Sequence, residues 1–173
     1  MTQYTLLACL ACCFASPCLA DERQFVTASE VQLTTDGYAL SGFKVETKTD
    51  GDLASILVSG NSQLQWQSGK FGDVKIASNH ISLKAKTSLS TPNKTAIIKS
   101  ATCVGDCKIT TDSIRCTCDR IEIQADTKGQ LVLSGNVKLT FGDTKLTSAS
   151  CTIRISDDSP TIIGEFQVPK NGG

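Results

Sequence analysis

A repeated unit with an odd internal spacing most strongly constrains the fold of this chain. The copies are residues 72–83, 105–116 and 142–153, which align without gaps, and residues 26–33 match the second half of the unit. The shared pattern is Gly-Asp-x-Lys, an apolar residue, four mostly small polar residues, and then apolar-x-apolar. In every copy two apolar positions lie five residues apart, as at Leu146 and Cys151. Because side chains alternate between the two faces of a strand, one face holds both residues only if the strand bends or bulges between them.

A second element alternates with these copies and reads apolar-Ser-Gly followed by alternating apolar residues. In residues 131–139 the apolar side chains recur every second residue, which is typical of a half-buried strand. Gly135 keeps this phase and permits a bend or a close approach of the backbone. Gly142-Asp143 is a turn signal, and we expect the next strand to start at Thr144.

We therefore expect an all-β protein built from many short strands with corners. The abundance of Thr, Val and Ile and the lack of Ala-Leu-Glu-Lys runs favour the same class. The predicted fold is an open, twisted β-jellyroll, that is, a folded-over double sheet of short antiparallel strands. A parallel β-helix is the alternative, although it favours shorter and more uniform repeats.

The first twenty residues predict a secretory signal peptide. They carry no charged side chain, residues 5–15 form an apolar run, and small residues precede a cleavage site after Ala20. The mature chain, residues 21–173, is then a single domain. We expect it in the periplasm, with an extracellular location as the alternative.

Composition and motifs give no sign of catalysis. Seventeen basic residues balance seventeen acidic ones, which argues against binding of nucleic acid through bulk positive charge. The chain lacks nucleophile-elbow, phosphate-loop and zinc-protease motifs, and we expect its one histidine, His80, to face solvent. We predict no enzyme activity, no cofactor, no catalytic residue and no metal site.

Five cysteines remain in the mature chain, and in an oxidising compartment they are candidates for disulfides. They are Cys103, Cys107, Cys116, Cys118 and Cys151. The first two flank three residues that we interpret as a hairpin turn, so they could pair across it. The last three are predicted to point inward, and Cys151 could pair with Cys116 or Cys118. A metal site is the alternative, but the spacing differs from that of zinc ribbons.

Residues 131–139 followed by 142–148 resemble the OstA-like repeat of the lipopolysaccharide-transport periplasmic proteins (the LptA and LptC family), and residues 109–114 resemble its recurring strand. This resemblance implies a V-shaped β-jellyroll that shelters the acyl chains of lipopolysaccharide in an apolar groove. It also implies that open sheet edges stack with copies of the same chain or with other jellyroll proteins to bridge the periplasm. Members of the family are not enzymes. The cysteine cluster has no counterpart in this resemblance.

The residue pattern is compatible with such a groove, since a curved double sheet lined by Ile, Leu and Val offers a place for acyl chains. The candidate groove or core residues are Val31, Leu33, Ile76, Ile81, Leu83, Ile109, Ile114, Leu131, Leu133, Val137, Leu139, Leu146, Ile153 and Ile155. The same alternation would equally produce an ordinary filled core, and both interpretations stay open. A secreted structural module that self-associates through its sheet edges, without a ligand, is the alternative function.

Overall fold

A computed structural model describes residues 24–35, 38–50, 53–68, 72–87, 96–124, 130–155 and 160–168. The predicted signal peptide, residues 1–20, and its cleavage site lie outside these ranges. No helix in the described ranges has the length and apolar character needed to cross a bilayer.

The described residues form one nine-stranded sheet in which every strand pairs antiparallel with its neighbour in sequence. The strands are β1 (Gln24–Thr35), β2 (Tyr38–Asp50), β3 (Leu53–Ser68), β4 (Gly72–Thr87), β5 (Ala96–Thr110), β6 (Ile114–Gln124), β7 (Gln130–Phe141), β8 (Thr144–Ile155) and β9 (Pro160–Gly164). The prediction of an all-β, antiparallel fold is confirmed, and the alternative of a parallel β-helix is wrong. The sheet is not closed into a barrel, because β1 and β9 lie at opposite ends of the strand order.

A line of register shifts crosses the sheet near the middle of the strands and divides it into two parts. Half A comprises residues 24–27, 44–50, 53–59, 80–87, 96–104, 120–124, 130–134, 150–155 and 160–164. Half B comprises residues 31–35, 38–41, 62–68, 72–78, 107–110, 114–118, 137–141 and 144–148. A bulge bends the strand that contains it and increases its twist, so a row of bulges produces a continuous bend line.

Pairs of residues in left-handed conformation build this bend. The pairs are Gly60-Asn61, Gly105-Asp106 and Gly135-Asn136, on β3, β5 and β7, with φ between 47° and 82°. Glycine adopts this region at little cost, and Asn and Asp tolerate it better than other residues with a Cβ. In β7 the pair lies between Ser134 and Val137, opposite a single residue of β8, which confirms the bend predicted at Gly135.

Two full copies of the sequence repeat, residues 72–83 and 142–153, occupy equivalent places at the starts of β4 and β8. Their odd apolar step coincides with the register shift, as predicted, and so does that of residues 26–33 on β1. The prediction that residues 105–116 form a third equivalent copy of the repeat is wrong. Its Gly-Asp pair lies at the bend within β5, and its odd step spans the turn between β5 and β6.

The strands are longer than the short strands that the sequence predicts. Eight of them contain between 11 and 16 residues, and each continues through the bend instead of ending there. The reason is that a two-residue bulge leaves hydrogen-bonded pairs on both sides of it, as between Thr117 and Lys138 on one side and Arg120 and Ser134 on the other.

One face of both halves is buried in a single hydrophobic cluster. On β7, Leu131 and Leu133 in half A and Val137 and Leu139 in half B are all at most 1% exposed. The cluster extends from Leu40 on β2 to Ile153 on β8. The inward orientation predicted for these positions of β7 is therefore confirmed.

Two aromatic residues, Tyr38 on β2 and Trp66 on β3, pack at the margin of this cluster. Trp66 and Tyr38 are partly buried against it, and their ring centroids lie 5.9 Å apart. Trp66 thus contributes to the cover of the core. His80 is exposed, as predicted.

Candidate ligand-binding interior and cysteine cluster

The predicted groove residues converge in the interior of the sheet. The buried ones, all at most 3% exposed, are Ile76, Ile81, Leu83, Ile109, Ile114, Leu131, Leu133, Val137, Leu139 and Ile153. Leu146 is partly buried and packs against them. Val31 and Leu33 lie on β1 and Ile155 at the end of β8, and the side chains of these three are outside the described residues. Between β3 and β7 the apolar side chains of the interior are at most 9% exposed.

Packing becomes looser at the C-terminal end of the sheet. There Leu146, Ile162 and Phe166 are only partly buried against the cluster. Backbone hydrogen bonds between Thr147 and Gln167, of 2.9 and 2.8 Å, hold the last described segment against β8. The Ser148 hydroxyl donates to the Glu165 carbonyl at 2.7 Å and fixes the same segment.

A cavity of about 1090 Å³ lies at the bend beside this segment. Its walls come mostly from residues on the solvent-facing side of β7, β8 and residues 163–167, including Val132 and Thr152 from half A and Lys138 and Thr147 from half B. Of the predicted groove residues only Val137 lines it. The cavity is therefore a surface depression at the end of the sheet and not a continuation of the buried interior.

The interpretation of Cys103 and Cys107 as partners across a hairpin is wrong, because both lie on β5 on either side of the bend. Cys116 and Cys118 on β6 share the inward face, as predicted, and Cys151 on β8 also points inward. All five thiols are free and at most 4% exposed. Strand β7 separates Cys151 from the cysteines of β6, and Leu133 is its neighbour there.

Three of the thiols form a chain of contacts in half B. Cys107 and Cys118 are directly opposed partners on β5 and β6. The hydrogen bond to Cys118, together with burial, raises the pKa of Cys107 far above its usual value. The hydrogen bond from Cys107 lowers the pKa of Cys118, but contact with Cys116 and burial outweigh it, so this pKa lies at about 12. Cys107 and Cys118 are accordingly protonated at neutral pH and form no thiolate that could act as a nucleophile.

The other two cysteines are held apart from this chain. Burial raises the pKa of Cys103 to about 12, and the nearby Cys107 adds to the shift while the Ser78 hydroxyl opposes it. Burial alone raises the pKa of Cys151 to about 11. Both therefore behave as small apolar side chains of the core.

Polar contacts across the bend were not foreseen from the sequence. The Asn79 amide donates to Asp106 at 3.2 Å, and the Asn136 amide donates to Asp119 at 2.9 Å. Each contact joins a strand with a two-residue bulge to its neighbour. The recurring Gly-Asn or Gly-Asp pair marks the bend in the sequence. No sequence motif identifies the residue on the neighbouring strand that contacts it.

Within the described ranges there is no group of three or more His, Cys, Asp or Glu side chains placed to hold a metal ion. Comparisons with family models, curated proteins and solved structures found no match to this chain.

Proposed function

We propose that this protein is a non-catalytic periplasmic carrier that binds acyl lipid, lipopolysaccharide in particular, and bridges to other proteins through its sheet edges. The observation that carries the proposal is the union of a continuous apolar interior with a sheet that is open at both ends. The signal-like residues 1–20 and the resemblance of residues 131–148 to OstA-like repeats support the same role.

A folded-over jellyroll is the architecture that we propose for the interior. Ile76 and Leu133 lie in different halves and are at most 1% exposed. A single sheet leaves side chains on its face open to solvent, so such burial needs a second layer. Half A supplies that layer for half B when the sheet folds over at the bend line, and the single hydrophobic cluster supports this arrangement.

Edges of the sheet provide the proposed bridging surfaces. In the part of the chain that the structure describes, β1 pairs only with β2 and β9 only with β8. An edge strand presents N–H and C=O groups to which another strand can add. Because the two edges lie at opposite ends of the sheet, head-to-tail addition would extend the interior from one molecule into the next.

We place the lipid entry at the C-terminal end, where Leu146, Ile162 and Phe166 are only partly buried. Acyl chains packed against these residues gain about 0.8 kcal/mol per methylene removed from water. A photo-reactive amino acid at Leu146 should crosslink to lipopolysaccharide, whereas the same probe at Ser82, an exposed position of half A, should not. Equal crosslinking at the two positions would reject a specific lipid site.

Native mass spectrometry of protein purified from membranes provides an independent measurement. We expect a bound species heavier than the polypeptide by the mass of one lipid. Protein that stays free of lipid in the presence of excess lipopolysaccharide would rule out the carrier function.

The burial of the interior side chains between β3 and β7 favours a second candidate function, a structural module that stacks through its edges without a ligand. This alternative predicts oligomers that grow with protein concentration and do not change when lipid is added. Analytical ultracentrifugation with and without lipopolysaccharide separates the two functions, because the carrier should change its oligomeric state or its mass with lipid.

A further inference from the structure

The solvent-facing side of half B carries a regular lattice of basic side chains. They are Lys75, Lys108, Arg115, Lys138 and Lys145, all exposed, and they come from five consecutive strands, β4 to β8. We call this surface the basic face. It lies on the side of the sheet opposite to the buried cluster, so it is separate from the interior that the proposed function uses.

Strand register sets the positions of these side chains. In one row Lys75 pairs with Thr110, Thr110 with Arg115, Arg115 with Thr140, and Thr140 with Lys145. In the adjacent row Ala77 pairs with Lys108, Lys108 with Thr117, Thr117 with Lys138, and Lys138 with Thr147. From β5 to β8 each row thus alternates a cation with a threonine, and the two rows are offset by one strand.

The spacing lets the charges act together. Alternate strands lie about 10 Å apart, which places Lys75, Arg115 and Lys145 at that interval along one row. Nearest neighbours lie in different rows, as Lys75 and Lys108 do on adjacent strands about 8 Å apart, which is close to the Debye length of about 8 Å at physiological ionic strength, so their fields overlap in part above the surface. Threonine hydroxyls between them add hydrogen-bond donors for phosphate oxygens.

Carboxylates lie at the margins of this face. Asp73 lies at one end of it, Asp112 and Asp143 lie in turns, and Asp106 and Asp119 at the bend accept hydrogen bonds from asparagines. Among the described side chains, none of the five cations forms an ion pair with a carboxylate. Within the described ranges these cations are therefore not neutralised by ion pairs, although the exposed Glu165 lines the same cavity as Lys138.

Half A differs in this respect. Lys44 contacts Glu46 at 2.6 Å, and Arg120 contacts Glu122 at 2.8 Å. Part of its basic charge is thereby compensated within the same face. Within the described ranges half A has seven basic and three acidic residues and half B has five and one, so the halves differ in the ion pairing of their cations and not in net charge.

We propose that the basic face docks onto the surface of a lipid bilayer that contains anionic phosphate headgroups. Charge complementarity identifies the partner, since a two-dimensional array of cations matches a plane of phosphates. Single-stranded nucleic acid is disfavoured because the two rows contain no aromatic side chain on which a base could stack. Docking leaves the sheet edges and the interior accessible.

Binding of the purified protein to phosphatidylcholine vesicles, with and without phosphatidylglycerol, tests the proposal. A basic residue near an anionic membrane contributes about fivefold in affinity. The triple variant Lys75→Gln, Arg115→Gln, Lys145→Gln should therefore lose about 100-fold in binding to the anionic vesicles. A control variant that removes the same net charge from half A, Lys44→Gln, Lys84→Gln, Arg154→Gln, should lose less than about fivefold.

Thr117→Glu provides a second test that keeps every cation, because it places a carboxylate between Lys108 and Lys138. It should also weaken vesicle binding, and circular dichroism should show that it remains folded. The proposal is overturned if the protein binds neutral and anionic vesicles equally. It is also overturned if both triple variants lose binding to the same extent, or if single-stranded DNA binds more tightly than anionic vesicles at the same salt concentration.

Discussion

Cys107 and Cys118 face each other across β5 and β6 as directly opposed residues, and both remain free thiols. The Cys107 thiol also donates to the Asp119 carbonyl at 3.5 Å, and the Cys118 thiol to the Arg120 carbonyl at 3.4 Å. Directly opposed residues on antiparallel strands have Cα atoms about 4.5–5.5 Å apart, which is within the range that a disulfide spans. This pair, and not the hairpin pair predicted from the sequence, is the one whose register suits a covalent link.

Thiol reactivity should be low in the native protein. Burial raises the pKa of Cys103 to about 12. For Cys118 the hydrogen bond with Cys107 lowers the pKa, but the hydrogen bond with Cys116 and burial outweigh it and give a pKa of about 12, so almost no thiolate of either residue forms at about pH 8. We expect labelling of these cysteines by a thiol reagent to be slow until a denaturant unfolds the chain. Mass spectrometry of labelled peptides checks this expectation, and rapid labelling of the folded protein would contradict it.

Stability should fall in alkali. The pKa of Cys151 rises from 9.0 to about 11 on folding, so the folded state holds its proton more tightly than the unfolded state. The stability that the raised pKa of Cys151 contributes is complete below pH 9 and is lost progressively as the pH rises toward about 11. Chemical denaturation at a series of pH values should show that the free energy of unfolding falls more steeply with pH in the wild type than in Cys151→Val. Parallel curves for the two proteins would mean that Cys151 does not contribute.

Gly135 should be much less tolerant of alanine than Gly142. Both have positive φ, 74° and 56°, so each substitution incurs the left-handed penalty of about 1–2 kcal/mol. A Cβ at Gly135 would also lie 2.8 Å from the Cβ of Asp119, whereas one at Gly142 meets nothing within 4 Å. We expect Gly135→Ala to lower the free energy of unfolding by about 1–3 kcal/mol more than Gly142→Ala, measured by urea denaturation. Equal losses would show that Asp119 moves aside freely.

Truncation of two adjacent residues of β7 should lower the free energy of unfolding by very different amounts. Leu133 is fully buried, whereas Val132 beside it faces outward and is half-buried. Leu133→Ala should cost about 2–5 kcal/mol in the free energy of unfolding, since it leaves a cavity in the packed interior. Val132→Ala should cost less than about 1 kcal/mol. A reversal of this order would mean that the faces of half A are assigned incorrectly.

Local patterns predicted much of the fold. Alternation in residues 131–139 and the small residue at Gly135 placed a bend within β7, and the structure has it there. The prediction of a turn at the Gly-Asp pair of residues 105–106 was wrong because the same dipeptide occurs in two structural contexts. At residues 142–143 it forms a turn between strands, and at 105–106 it forms the bend within β5. Both need positive φ at glycine, so composition alone does not distinguish them.

The sequence patterns did not predict which residues face each other across neighbouring strands. The opposition of Cys107 and Cys118 depends on the length of the turn at residues 111–113 and on the bulge at 105–106, each of which shifts the register. The basic face depends on the register of five strands in the same way. Its lysines are scattered along the chain and only align once the sheet forms.

The uninterrupted up-and-down order of the nine strands bears on how the protein forms and changes. Every hydrogen-bonded ladder joins segments that are adjacent along the chain, so each hairpin can zip onto the growing assembly without threading or long loop closure. Duplication or deletion of one hairpin would alter the length of the molecule and leave its topology intact. Evolution could thus adjust the reach of such a protein in steps of two strands.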